Sequence, residues 1–337
     1  MSRPTPNPAP NEPPRTISAC RIGVGLVVLM VVAAAGVRLY AGPGGFGWPI
    51  DAASWEIRLG RIAAASIAGG ALGLAGVLLQ GLLRNPLASP DIMGISSGSG
   101  LAVLLAAWGA QTGLWSQNMP APAAFAGALV TLGLVFAFSL RRGRVDHATL
   151  ALVGVSVGLV CAAAGVLVQQ ALLDRGVWVS RWLLGGIHDE HGAGDLGVSG
   201  LIVCAGLVWS LLLSRSMDAA TLGDDAAASV GVGLGRLRLS QFVLSGSLSA
   251  TAVLIAGPLG FVGLIGPHVA RLLVGPGHRM LLVSAAGLGA ALVLMADTMI
   301  RLVDVGTGRL PLGAVTGLIG APFLIWLLRS RGRMGTW

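Results

Sequence analysis

His188-Asp-Glu-His191 places two imidazoles and two carboxylates within four residues of a chain that has five histidines and 14 acidic residues in all. On a helical turn the i and i+3 imidazoles would share a metal ion or a haem iron; in a loop between apolar segments the same residues simply face water. His268 and Arg271 stand three apart, on one face of a helix. An ionisable pair at a membrane boundary is a candidate for function. It would serve as a proton relay if a carboxylate meets it, or as a headgroup anchor beside a capping histidine. Asp297 and Arg301, four apart, lie at the end of another apolar run. Enzymatic chemistry finds no support, because HExxH and GxSxG are absent and few carboxylates fall in apolar surroundings. All 22 basic residues are arginine. A P-loop needs a lysine on the β- and γ-phosphates, so this chain holds no ATP site of that kind. Cys20, Cys161 and Cys204 are isolated in apolar surroundings, which points to packing and away from a disulfide framework or zinc. No metal-ligating set is expected.

Membrane helices must hold these residues. Hydrophobic residues make up 54% of the chain and charged ones 11%, leaving too little polar surface to coat a soluble globule. Apolar windows recur near 20–40, 60–82, 93–108, 122–140, 148–172, 196–214, 239–257, 259–274, 280–303 and 312–328, each close to the ~20 residues that span ~30 Å of hydrocarbon. The fold class is therefore all-α, a polytopic membrane protein of about ten transmembrane helices, the eighth short and interrupted by Pro267. With both termini in the cytoplasm, 15 arginines lie on cytoplasmic segments and seven outside, as the positive-inside rule requires. Arginines at helix ends account for the net charge of +8 and disfavour nucleic acid as a partner. Residues 1–18, with six prolines in the first 14, read as a disordered cytoplasmic tail. Residues 19–330 read as one transmembrane domain and 331–337 as a second cytoplasmic tail. After the first helix, two blocks of four spans flank a polar stretch at 215–238 with opposite membrane orientation, an inverted-repeat layout with its pathway at the interface. Gly69, Gly70, Gly73 and Gly76, and likewise Gly154 and Gly158, have the spacing of small residues that let membrane helices approach closely.

Three polar segments interrupt the spans. The first is an elbow, Arg84-Asn85-Pro86-Leu87-Ala88 followed by Pro90 and by Gly94-Ile95-Ser96-Ser97-Gly98. Irregular backbone at membrane depth survives only where protein or a watery cavity satisfies its polar groups, so this turn is expected to line a path. The second is Gly257-Pro-Leu-Gly-Phe-Val-Gly-Leu-Ile-Gly-Pro-His-Val-Ala-Arg271, whose Gly260, Gly263 and Pro267 let the chain bend and remove a backbone donor. The third runs from Asp218 to Val232. Thr221, three residues before Asp224, has capping-box spacing; Asp224 and Asp225 suit a helix N-terminus; Gly231 or Gly233 can end the helix.

These segments resemble the signatures of the FecCD/BtuC-type permeases, the membrane subunits of type II ABC importers for iron-siderophores, haem and cobalamin. The resemblance implies a structural motif of Arg84, Pro86, Pro90, Gly94, Gly260, Gly263, Pro267, His268 and Arg271. It implies a cytoplasmic gate at Asn85 and Leu87, completed by the next cytoplasmic loop at Asp146 and His147. Leu222, Gly223, Asp224, Asp225, Ala226, Ala227, Val230 and Gly231 match the family's coupling helix, with Val230 where leucine is usual. Ile57-Arg-Leu-Gly-Arg61 and Asp297-Thr-Met-Ile-Arg301 resemble the outer stretches whose arginines meet a binding protein, which makes Arg58, Arg61 and Arg301 docking candidates. Gly60 replaces the usual proline, and Arg309 stands where glutamate is common. The implied partners are two ATP-binding cassette subunits that carry ATP and Mg, an extracytoplasmic substrate-binding protein, and a second permease copy or paralogue. This chain would bind no cofactor itself. The expected setting is the bacterial inner membrane, and the cargo an iron chelate, ferric siderophore first, then haem or cobalamin. The alternative is a proton-coupled secondary transporter relaying through Asp297, His268 or the 188–191 loop.

Overall fold

A computed structural model of the chain describes residues 17–42, 45–114, 120–141, 144–145, 147–172, 183–187, 192–303 and 310–330. In hydrocarbon a single chain segment can satisfy its own backbone only as a helix, and eleven α-helices dominate the described residues. They are α1 (Ile17–Tyr40), α2 (Ala52–Leu83), α3 (Ile95–Gln111), α4 (Pro120–Ser139), α5 (His147–Gln170), α6 (Ala193–Thr221), α7 (Asp224–Ser229), α8 (Leu234–Ala256), α9 (Val262–Val274), α10 (His278–Leu302) and α11 (Leu312–Ser330). Two tiny antiparallel hairpins, Ala41–Gly42 with Gly45–Phe46 and Leu140–Arg141 with Arg144–Val145, turn the chain between α1 and α2 and between α4 and α5. Seven helices are long and apolar enough to cross a membrane alone: α1, α2, α4, α5, α6, α8 and α10. The 17-residue α3 and the shorter apolar α9 and α11 bring the described helices of membrane length or near it to ten, as expected.

Two expectations about organisation need correction. Five helices, α2 to α6, lie between α1 and the short α7 and four follow it, the same five and four that the apolar windows themselves count around 215–238, so the blocks are not four and four. Helix α2 begins at Ala52, eight residues before the expected start. Asp51 caps it by accepting from the Ser54 amide at 3.0 Å, and its 32 residues extend about 48 Å, well beyond the ~30 Å of hydrocarbon. Its extra N-terminal turns expose Trp55, Ile57 and Leu59.

Helix α2 is the axis of the bundle. Of its most apolar window 78% is buried, against 67% for α8 and α10 and 17% for α6, so α2, α8 and α10 form the centre and α6 faces outward. The glycine spacing explains how α2 reaches its neighbours. A Cβ at Gly69 would collide with the Gly289 carbonyl, one at Gly73 with the Ala285 carbonyl, and one at Gly76 with the Gly263 carbonyl. Pro267 has no amide to offer the carbonyl four residues back, which is that of Gly263. Helix α2 packs on that vacated carbonyl through Gly76. Leu74, Leu78, Leu248, Ile255, Leu281 and Leu282 fill the surrounding core.

Candidate functional site

At one end of the bundle the C-terminus of α2 runs into the elbow. Arg84 takes the left-handed conformation (φ 48°, ψ 34°) that closes a helix, and its amide returns to Gln80 and Gly81. The Asn85 amide donates to the Gln80 carbonyl at 3.2 Å, and Asn85 Oδ1 accepts the Leu87 amide at 3.0 Å. This is the side-chain turn that asparagine favours. Pro90 opens a 3₁₀ turn, Pro90–Met93, which Gly94 ends at φ 69°. A Cβ on Gly94 would lie 2.9 Å from Gly158 Cα and 2.8 Å from the Gly154 carbonyl, so the elbow rests on the paired small residues of α5. Its other side meets the second motif: a Cβ on Gly263 would stand 2.7 Å from Pro90 Cδ. Asp91 accepts from Ser96 Oγ at 3.0 Å and from the Phe261 backbone. Phe261 sits at φ 66° before α9 and drives its ring against Gly320 of α11. The elbow and the Gly257–Arg271 motif are thus one contact, although they lie far apart in sequence. His268 is buried edge-on to Phe323, and Arg271 Nη2 donates to Gln80 Oε1 at 3.2 Å.

The third motif docks beside the elbow. Gly223, at φ 116°, starts the six-residue α7, and Gly231, at φ 84°, follows its end. Thr221 does not cap it: the residue ends α6, its hydroxyl donating to the Asp218 carbonyl at 2.6 Å. The expected capping box is replaced by the positive-φ glycine. Ala227 is fully buried, whereas Leu222 and Val230 on either flank are 78% and 70% exposed, and Asp225 and Ala226 also face out. Asp224 turns back to bond Arg84 and, at 2.6 Å, Arg238 Nη2 of α8. The hydrogen bond from Arg238, helped by the charge of Arg84, holds the Asp224 carboxyl below the usual carboxylate range. Asp218 joins the same end to α10, accepting the His278 amide at 3.0 Å and meeting His278 Nδ1 at 2.6 Å. His147 opens α5. Asp146, the 188–191 group and Arg309 lie outside the described residues. Among the described residues no three His, Cys, Asp or Glu side chains gather to hold a metal ion.

The opposite end is built on Asp297. Arg38 Nε of α1 reaches Asp297 Oδ2 at 2.5 Å, Arg61 of α2 bonds both carboxylate oxygens, and all three residues are at most 3% exposed. Arg38 Nη1 also donates to the Ala41 carbonyl at 3.1 Å and Arg61 Nη1 to the Ile187 carbonyl at 2.7 Å. This corrects the expected docking set: Arg61 is an internal clamp, because a carboxylate buried in α10 draws it inward. Arg58 is half-buried, donating to the Leu39 and Gly47 carbonyls at 2.6 Å each, and Arg301 is half-buried in the last turn of α10. Sequence reading missed the Arg38–Asp297–Arg61 cluster. The available signal was Asp297 itself, since a carboxylate inside an apolar span demands a partner.

Known proteins share this architecture. Residues 47–330 match the model of the FecCD transport family. The chain is 36% identical over 297 residues to the cobalamin import system permease protein BtuC of Halobacterium salinarum, covering 87% of this chain and 78% of that one. It is 36% identical over 290 residues to the hemin transport system permease protein HmuU of Yersinia pestis, covering 82% and 83%. A solved inward-facing structure, described as a metal-chelate type ABC transporter, superposes with a TM-score of 0.81 at 30% identity, covering 93% of this chain and all of that one. The chain belongs to the FecCD transport family, as a multi-pass permease with the type II ABC importer fold.

Proposed function

We propose that this permease carries a metal chelate across the bacterial inner membrane, ferric siderophore first and haem or cobalamin next. Its drive is ATP hydrolysed, with Mg, on two separate cassette subunits. The observation that carries this reading is the short α7, which presents Leu222 and Val230 outward and is tied through Asp224 to Arg84 at the start of the elbow. An apolar pair on an exposed helix suits a partner groove. A cassette closing on α7 would pull Arg84 and Arg238 together, and with them the ends of α2 and α8. Asn85 and Leu87 ride on that linkage and, with the 146–147 loop, are proposed as the gate. The α7 end is then cytoplasmic, with both termini on that side. The Asp297 end faces a binding protein, with Arg58 and Arg301 as docking residues steering encounter more than adding affinity. A second permease copy or paralogue would complete the conduit.

Reconstitution of the chain with its ATPase and binding protein tests this reading. ATP hydrolysis and uptake stimulated by ferric siderophore, haem or cobalamin on the binding protein is the expected result, and the stimulating cargo names the substrate. Uptake that ignores ATP and stops when the proton gradient collapses would overturn it.

A further inference from the structure

Behind the elbow, at the α7 end, the ends of α2, α6, α8, α9 and α10 enclose a cavity of about 420 Å³. Among the described residues three guanidinium groups line it, those of Arg84, Arg238 and Arg271, and no carboxylate does. Asp224 bonds Arg84 and Arg238 without belonging to the wall, so two of the arginines share a single carboxylate. The floor is polar and nearly closed, with Gln80 and Gln241 each 4% exposed, while Arg84 at the mouth has a side chain 47% exposed. Arg271 reaches the floor amide of Gln80 at 3.2 Å. The rim turns apolar at Leu234 and Leu272, the latter open to the surroundings.

We propose that this cavity is a binding site for a phosphate group, seated between Arg84, Arg238 and Arg271 with its oxygens reaching the amides of Gln80 and Gln241. Planar guanidinium forks match phosphate oxygens in pairs, which an ammonium cannot do. Basic pockets between membrane helices at a cytoplasmic boundary are suited to anionic headgroups. The volume exceeds what one tetrahedral anion needs, and the apolar rim gives an acyl chain a way out, so the phosphate fits a phospholipid headgroup as well as a soluble ion. A bound phosphate would draw on the same guanidinium groups as Asp224. Occupancy would therefore be felt at α7.

The proposal uses the import reading only to name this end cytoplasmic, and the test needs neither ATPase nor cargo, so either can fail without the other. The full chain, purified and delipidated in detergent, is mixed with phosphatidylglycerol or phosphatidylcholine and examined by native mass spectrometry. Its unfolding temperature is followed in parallel with inorganic phosphate against chloride at equal ionic strength. One saturable phosphatidylglycerol per chain, weakened at least tenfold by Arg238→Gln with Arg271→Gln, is the expected result. Arg236→Gln with Arg279→Gln, exposed arginines at the same end outside the cavity, should change binding less than twofold. Stabilisation by inorganic phosphate, lost in the same cavity variant and unmatched by lipid retention, assigns the site to a soluble anion instead. Equal loss in cavity and surface variants would overturn the proposal. So would an unaltered chain that retains both lipids alike and gains nothing from phosphate. If the double variant does not fold, Arg271→Lys, which keeps the charge and removes the fork, takes its place: weakened retention supports the site and unchanged retention sinks it.

Discussion

Asp224 and Asp297 each hold two arginines, and burial sets what each arrangement does. At Asp297 the carboxylate and both guanidinium groups are shut away from water, so removing the acid takes a negative charge away from two buried cations. Breaking a buried pair in this way costs about 3–5 kcal/mol. Asp297→Asn should therefore lower the unfolding midpoint in detergent sharply; a midpoint within error of the unaltered chain would show that the cluster does not clamp its end of the bundle. Asp224 is 43% exposed at its side chain, where an ion pair contributes roughly 0.2–1 kcal/mol. Asp224→Asn should leave the midpoint almost unmoved and instead reduce substrate moved per ATP hydrolysed in the reconstituted complex. Because Arg238 and Arg84 lower the Asp224 carboxyl, the sign of its pH dependence is fixed. The contact is fully present above the ordinary carboxylate range and is lost only as pH falls through the lowered value, so coupling should stay flat through neutral pH. A loss of coupling between pH 7 and 6 that Asp224→Asn abolishes would contradict this.

The elements owe their placement to backbone contacts that a side chain would forbid, and those contacts can be challenged one at a time. Gly76 packs on the Gly263 carbonyl, a backbone atom that cannot swing aside. Gly76→Leu should cost about 3 kcal/mol, the upper part of the usual overpacking range, or abolish folded yield. A Cβ on Gly60 of the same helix meets nothing within 4 Å, so Gly60→Ala should not destabilise the chain and can gain up to about 1 kcal/mol of helix propensity. Equal unfolding midpoints for the two variants would remove the argument that α2 is the axis. The same contacts mark what a sequence can tell. Gly69, Gly73 and Gly76 announce a close helix by spacing alone, and Pro86, Pro90 and Gly94 announce an elbow, because these residues act through local backbone geometry. Nothing local announces that Arg38 and Arg61 converge on Asp297 across 259 and 236 residues, or that Pro90 lands on Gly263. Thr221 misled for a related reason: capping-box spacing marks a possible helix start, but here α6 continues through that residue and Gly223 makes the turn.

For the molecule as a whole, the two polar ends are chemically unlike, and that difference orients it. The α7 end carries Arg84, Arg236, Arg238, Arg271 and Arg279 around the exposed Leu222 and Val230. At the other end Arg38 and Arg61 are buried against Asp297, and Arg58 and Arg301 are half-buried. Cytoplasmic segments carry the excess of arginine and lysine in membrane proteins, so the arginines grouped around α7 argue for a cytoplasmic α7 end. With Cys20, Cys161 and Cys204 replaced by alanine, a cysteine placed at Ile50, which is fully exposed beside α2, should react with a membrane-impermeant maleimide on intact spheroplasts. A cysteine at Ser229, exposed on α7, should react only after permeabilisation. The reverse pattern would put α7 outside, where no ATP is available, and the proposed coupling would fall with it. The expected pattern would place the gate, α7 and the arginine-lined cavity on the side where an ATPase can reach them.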